Sequence, residues 1–283
     1  MMILVSCVAS AQGFELERLA LNAGARETWL AQTGDGLEAM HLRLSLLGHY
    51  EHRPLVLTVD GVEVGAPIAS RWTAQLVGAF GVHEYVEVSV QLPVVLSQSG
   101  DDLRAYGVAT VPAVALGAPW LAVRSALLRQ GEKFPLDLAI SLHLGLPLGS
   151  AEAFTKDPGL GLAFSPKVGL GHSFGVVRLG AEVAVLLRGS QALGATTEVG
   201  SQLSSALVLS TSGLPVHVEL AGRVTMPFTN LPASVEVLAA VRYTFARQFE
   251  LSLLGGPGIG KTPGTPAFRV LAGFSWTPDF SGK

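Results

Sequence analysis

Near the C-terminus, Gly255-Gly256-Pro257-Gly258-Ile259-Gly260-Lys261-Thr262 satisfies the phosphate-cradling pattern G-x-x-x-x-G-K-[ST]. That chemistry needs a helix beginning at the Lys-Thr pair, so that its free N–H groups and dipole meet the phosphates. A strand-like run, residues 249–254, does precede the motif, but Pro263, Gly264 and Pro266 follow it. No apolar strand ending in Asp offers a magnesium partner. The motif therefore reads as a glycine-rich loop at the end of a strand, and no cofactor is expected. The histidines carry no metal spacing and no metal is expected. His41 and His49 share one segment, His143 and His217 stand alone on theirs, and His83 and His172 fall in turns.

Charged side chains at alternating positions are the other candidate set. Arg43, Arg71, Glu87, Arg124 and Asp137 fall on the polar parity of their segments, as do His143, Lys167, Arg178, Glu182 and Glu219. Arg223, Arg242, Glu250 and Arg269 complete the set. Facing one enclosed space, such groups either pair with one another and fill it, or line a conduit whose selectivity they set. Basic residues outnumber acidic ones here, which would favour small anions.

The element that must position them is clearest at residues 135–147, PLDLAISLHLGLP. Leu136, Leu138, Ile140, Leu142, Leu144 and Leu146 occupy one parity; Asp137, Ala139, Ser141, His143 and Gly145 occupy the other. Only a strand separates those sets onto two faces. The same alternation recurs over about residues 37–51, 66–81, 84–95, 118–129, 161–171, 174–188, 198–210, 214–225, 234–245, 248–260 and 267–276. With residues 135–147 this makes twelve strands, and tight turns alternate with longer connections. The longest loops are residues 96–117 and 148–160, which are candidates for binding a protein partner.

Composition decides which face meets what. Of 283 residues 49% are hydrophobic and 14% charged, against about a quarter charged in soluble domains. Mean hydropathy is +0.44. The aliphatic parity must therefore face lipid, and the fold class expected is a single closed antiparallel transmembrane β-barrel with meander topology. Aromatic residues near the short turns and the C-terminal end, Phe80, Tyr243, Phe245, Phe249, Phe274 and Trp276, form the expected interfacial girdle. A twelve-strand barrel has a bore on the order of 10 Å before side chains intrude. A long uncharged run, residues 105–123, contains Gly107, Pro112, Gly117 and Pro119 and reads as a loop entering a strand.

The domain plan follows. Residues 1–11 read as the remnant of a secretory signal, with Ala9-Ser10-Ala11 as a cleavage site. A rival reading takes Leu4-Val5-Ser6-Cys7 as a lipoprotein box. Residues 12–36 have no clean period and read as a periplasmic lead-in, with a short helix or a partial plug left open. Residues 37–277 form the barrel and 278–283 a tail. Cys7 is the only cysteine, so no disulfide framework is available. A net charge of −3 gives no sign of nucleic-acid binding.

Several patches resemble the N-terminal barrel of OmpA-family outer-membrane proteins in its larger version. These are Pro54-Leu55-Val56, Leu92-Pro93-Val94-Val95 with Gln98-Ser99-Gly100-Asp101, Leu146-Pro147-Leu148-Gly149, and Gly264-Thr265-Pro266-Ala267-Phe268-Arg269. Leu148 departs from the expected Thr. The resemblance implies a bacterial outer-membrane barrel among lipid and lipopolysaccharide. The family's peptidoglycan-binding domain is not matched by any residues of this chain. The functions expected are a small porin-like channel for solutes or ions, or a structural barrel. A surface-recognition barrel is the alternative. A barrel-embedded lipid hydrolase is disfavoured, because no His within the expected strands shares the aliphatic parity.

Overall fold

Alternating strands of this length have a favourable outcome in a non-aqueous medium: each backbone N–H and C=O bonds to a neighbouring strand, and the two faces separate by polarity. The computed structural model describes residues 13–24, 28–59, 61–131, 133–193, 197–246 and 248–278. Twelve long strands run through it: β1 (Leu42–Val59), β2 (Val62–His83), β3 (Val86–Ser99), β4 (Trp120–Leu128), β5 (Asp137–Gly145) and β6 (Ala163–Phe174). Then come β7 (Val177–Arg188), β8 (Gln202–Thr211), β9 (Val216–Pro227), β10 (Ser234–Phe245), β11 (Phe249–Ile259) and β12 (Phe268–Trp276). Each pairs antiparallel with its neighbour in sequence. The last returns to the first, from Leu44 opposite Trp276 to His52 opposite Phe268. The result is a closed twelve-stranded meander barrel.

The aliphatic parity faces outward. On β5, Ile140 and Leu142 are 45% and 53% exposed, while Asp137, Ala139 and Ser141 between them are buried. Leu46, Leu76, Val123, Val183, Leu207, Leu220, Val241 and Leu253 continue this exposed belt around the other strands. A contiguous apolar surface of that extent is not sustained by a protein in water. The wall faces lipid, and the barrel is transmembrane. Among the described residues no helix is long and apolar enough to cross a membrane.

Three details differ from the sequence expectation. Residues 54–65, between the expected strands 37–51 and 66–81, belong mostly to strands, because β1 and β2 continue to pair out to Val59 opposite Val62. Irregularities in register after His52, Leu55 and Leu57 accompany that extension, and Pro54, which has no N–H to donate, sits among them. The strict alternation of short and long connections is broken at this hairpin. Across the expected loop 189–197, Gln191–Leu193 pairs with Thr197–Val199, which takes in the first two residues of the expected strand 198–210.

Residues 13–24 and 28–37 are irregular, contain no helix, and run inside the barrel. They enter near the long loops, where Phe14 meets Phe154 at 5.4 Å. They leave at the short-turn end, where the Met40 N–H donates to Gly81 O at 2.7 Å. Leu19, Leu21, Trp29 and Leu30 form an apolar core with Leu47, Val77, Val208, Leu238, Leu254 and Leu271 from the inner wall. The expected leader, residues 1–11, and the tail beyond Pro278 lie outside the described residues.

Candidate functional site: the occupied lumen

Thirteen of the fourteen residues on the expected lumen parity are buried, and His143 is half-buried. The structure sorts them into local groups. At the short-turn end Arg43 pairs with Glu250, which also accepts from Arg242 at 3.2 Å. Arg242 Nε reaches Glu219 at 2.9 Å. Across β3 and β4, Arg124 meets Glu87 at 3.3 Å. Arg178 on β7 reaches Asp137 at 2.7 Å. Arg269 on β12 meets Glu236 at 2.8 Å. Arg71 donates to Gln98 Oε1 at 2.9 Å and to the Ala153 carbonyl at 2.7 Å.

These groups spend much of their capacity on residues 13–24 and 28–37, hereafter the inner segment. The Trp29 N–H donates to both oxygens of Glu219 at 3.0 and 2.8 Å, and the Leu30 N–H to one at 3.2 Å. Glu182 accepts the Gln32 N–H at 2.8 Å, and Glu87 the Leu37 N–H at 2.9 Å. Arg178 donates to the Thr33 carbonyl at 2.7 Å, Arg223 to the Leu30 carbonyl at 3.1 Å, and Arg124 to Asn22 Oδ1 at 2.8 Å. The wall charges thus substitute for the sheet or helix that this irregular backbone lacks, since buried N–H and C=O groups need partners. His143 Nε2 lies 3.1 Å from the Gln32 amide nitrogen.

Small inner residues make the space. A Cβ on Gly169 would lie 2.2 Å from the Gln32 carbonyl oxygen. On Gly171 it would lie 2.2 Å from that of Thr33, and on Gly180 2.1 Å from Thr33 Cγ2. Gly171 and Gly180 are directly opposite each other on β6 and β7. The inner segment therefore lies in a groove that only glycines leave open.

What remains of the lumen includes a cavity of about 90 Å³, lined in part by Arg18, His143, Lys167, Glu182, Gln202 and Arg223, with room for a few waters. At the long-loop end, loop 148–160 folds over the mouth. Its Asp157 accepts the Glu15 N–H at 3.1 Å and pairs with Arg188 at 3.0 Å.

Both ends of the barrel carry aromatic clusters. Tyr243, Phe245, Phe249 and Phe274 form a chain of rings with successive centroids 5.7 to 6.2 Å apart at the short-turn end. Trp276 lies opposite Phe249 and Phe80 opposite Leu42. A second cluster at the other end, Tyr50 with Trp72 and Phe268 at 4.7 and 5.8 Å, escaped the sequence reading. Trp72 and Phe80 lie on one strand roughly 26 Å apart at about 3.3 Å per residue, close to the height of the apolar band of such barrels.

Folds of this kind are known. Residues spanning 87% of this chain match 98% of an outer-membrane channel from Pseudomonas putida F1, with 10% identity and a TM-score of 0.58. The KdgM porin solved with oligogalacturonate matches 83% of this chain and 99% of its own, with 6% identity and a TM-score of 0.53. The NanC porin matches 82% and 98%, with 7% identity and a TM-score of 0.52. The chain has an outer-membrane porin fold. No family model matches it, and no curated protein does.

Within this porin-type barrel three motifs have structural outcomes of their own. Gly255 to Ile259 of the phosphate-loop pattern belong to β11, and Gly255 and Gly256 are paired with β12; no helix follows. Gly171-His172-Ser173-Phe174-Gly175 matches the G-x-S-x-G pattern and was missed in the sequence. It closes the β6–β7 hairpin rather than a strand-to-helix elbow, and Ser173 Oγ accepts from Arg178 at 2.8 Å. His52, past the expected end of the first strand, lies on the outer parity and stacks on Phe268 at 5.0 Å, a correction to the absence of His from that face.

The sequence reading also missed a cluster. Glu17 on the inner segment meets His49 and Glu51, which lie two residues apart on one face of β1, and only that i, i+2 pair was visible as a spacing. A usable signal for the occupied lumen did exist: Leu47, Val77, Val208, Leu238, Leu254 and Leu271 sit on the polar parity, where water alone would be a poor neighbour.

Proposed function

We propose that this protein is a non-enzymatic, porin-like channel of a bacterial outer membrane, stoppered in the state described by its own inner segment. The observation that carries this is the way that segment is held. Its backbone lies inside a twelve-stranded barrel and is anchored by side-chain hydrogen bonds from Glu219, Glu182, Glu87, Arg178 and Arg223, not by a continuous ladder. Such bonds can be exchanged for water as the segment moves, while the barrel stays closed. Behind it stands a charged wall suited to small polar solutes or ions, with basic residues in excess. The solved porins of this fold support the reading, and KdgM was captured with an oligogalacturonate. The resemblance to OmpA-family barrels adds a shared architecture and a surrounding of lipid and lipopolysaccharide.

Planar-bilayer recording tests it. The whole chain is expected to give rare or small openings, and a variant lacking residues 13–36 a steady, larger conductance. A shortened barrel that folds and passes no current overturns the proposal.

A surface-recognition role gains less support, because loop 148–160 is committed to the barrel mouth through Ala153, Phe154 and Asp157.

A further inference from the structure

We propose that Glu17, His49 and Glu51 form a divalent transition-metal site that clips the inner segment to the wall. One ligand atom from each of the three lies within 4.8 Å of the others. His49 is 0% and Glu51 1% exposed. His49 Nδ1 and Glu17 Oε2 approach to 3.0 Å as an ion pair in poor hydrogen-bond geometry, and the two oxygens of Glu51 accept no hydrogen bond. Buried polar atoms in this condition are costly. Here they converge on one point, which is how a ligand set differs from scattered defects.

The surrounding charge points the same way. Arg269 Nη1 lies 3.3 Å from Glu17 Oε1 and 3.6 Å from Glu51 Oε1, so it sits beside one oxygen of each carboxylate and leaves the other. The same guanidinium is bonded through Nε to Glu236. Three carboxylates thus draw on one cation. Arg71, opposite Glu51 on β2, is committed to Gln98 and the Ala153 carbonyl. A divalent ion offsets the excess.

One imidazole with two carboxylates suits zinc and its neighbours in the first transition row. Calcium and magnesium take six or more oxygen ligands or their waters. A metal on Nδ1 places the ring proton on Nε2, and the 3.4 Å contact from Arg269 to that nitrogen then opens. Because Glu17 belongs to the inner segment and the other two to β1, an ion bound here ties the stopper down. That consequence rests on the channel reading; the binding does not.

The test uses the whole chain, purified in detergent and stripped with a chelator. Titration with Co²⁺ is expected to give one equivalent of a visible ligand-field spectrum, displaced by Zn²⁺. His49→Ala and Glu51→Gln, checked for intact β-structure by circular dichroism, are expected to weaken binding by at least about tenfold. A wild-type chain with no saturable one-to-one binding overturns the site, as does equal binding by both variants. In bilayers Zn²⁺ is expected to lower the current of the wild type and not that of Glu17→Gln. Binding without that difference overturns the clip. Absence of current from the barrel lacking residues 13–36 counts against the channel reading alone.

Discussion

Glu219 shows how much one wall side chain holds. Its carboxylate takes two N–H groups of the inner segment and the guanidinium of Arg242, and it is 1% exposed. In Glu219→Ala those donors lose their acceptor, at about 1–3 kcal/mol for each buried group left unmade. Hydrogen exchange at Trp29 and Leu30 should then quicken by at least an order of magnitude, since about 1.4 kcal/mol is tenfold. Unchanged protection would show that the apolar contacts of Trp29 and Leu30 hold the segment without it. Gly180→Val makes the complementary test, because even its Cβ would collide with Thr33. The segment around Thr33 should become sensitive to protease while the barrel's circular dichroism is retained. Resistance equal to wild type would mean that the groove has more slack than its distances show.

The strands were legible because their period is two and their faces differ in polarity. β5 was readable almost to the residue, since Asp137, Ala139 and Ser141 alternate with Leu138, Ile140 and Leu142. The β1–β2 hairpin was not, because beyond His52 pairing is sustained by the neighbouring strand through several irregularities, and Pro54 reads locally as a loop. The outer belt allows a direct check. Leu142→Arg places a charge on the lipid face and should cost about 2–4 kcal/mol near the bilayer midplane. Urea titration of refolding into lipid vesicles measures this, and a loss near zero would remove Leu142 from the hydrocarbon zone.

For the molecule as a whole, the decisive quantity is the balance of charge along the freed lumen. With residues 13–36 deleted, reversal potentials in a salt gradient should show a preference for chloride over potassium. The double change Lys167→Glu with Arg178→Glu should reduce or invert it. A cation preference in the parent barrel would mean that the wall's acidic residues dominate at the constriction.

By itself the sequence determined that there is a barrel, roughly where its twelve strands lie, and which parity turns away from lipid. Those follow from local alternation, which any segment displays without knowing its neighbours. Only the tertiary structure decided what fills the interior. Residues 13–37 have no period, and their partners, from Glu87 to Arg269, are scattered over almost the whole chain. The groove at Gly169, Gly171 and Gly180, and the meeting of Glu17 with His49 and Glu51, exist only once the sheet has closed around the segment.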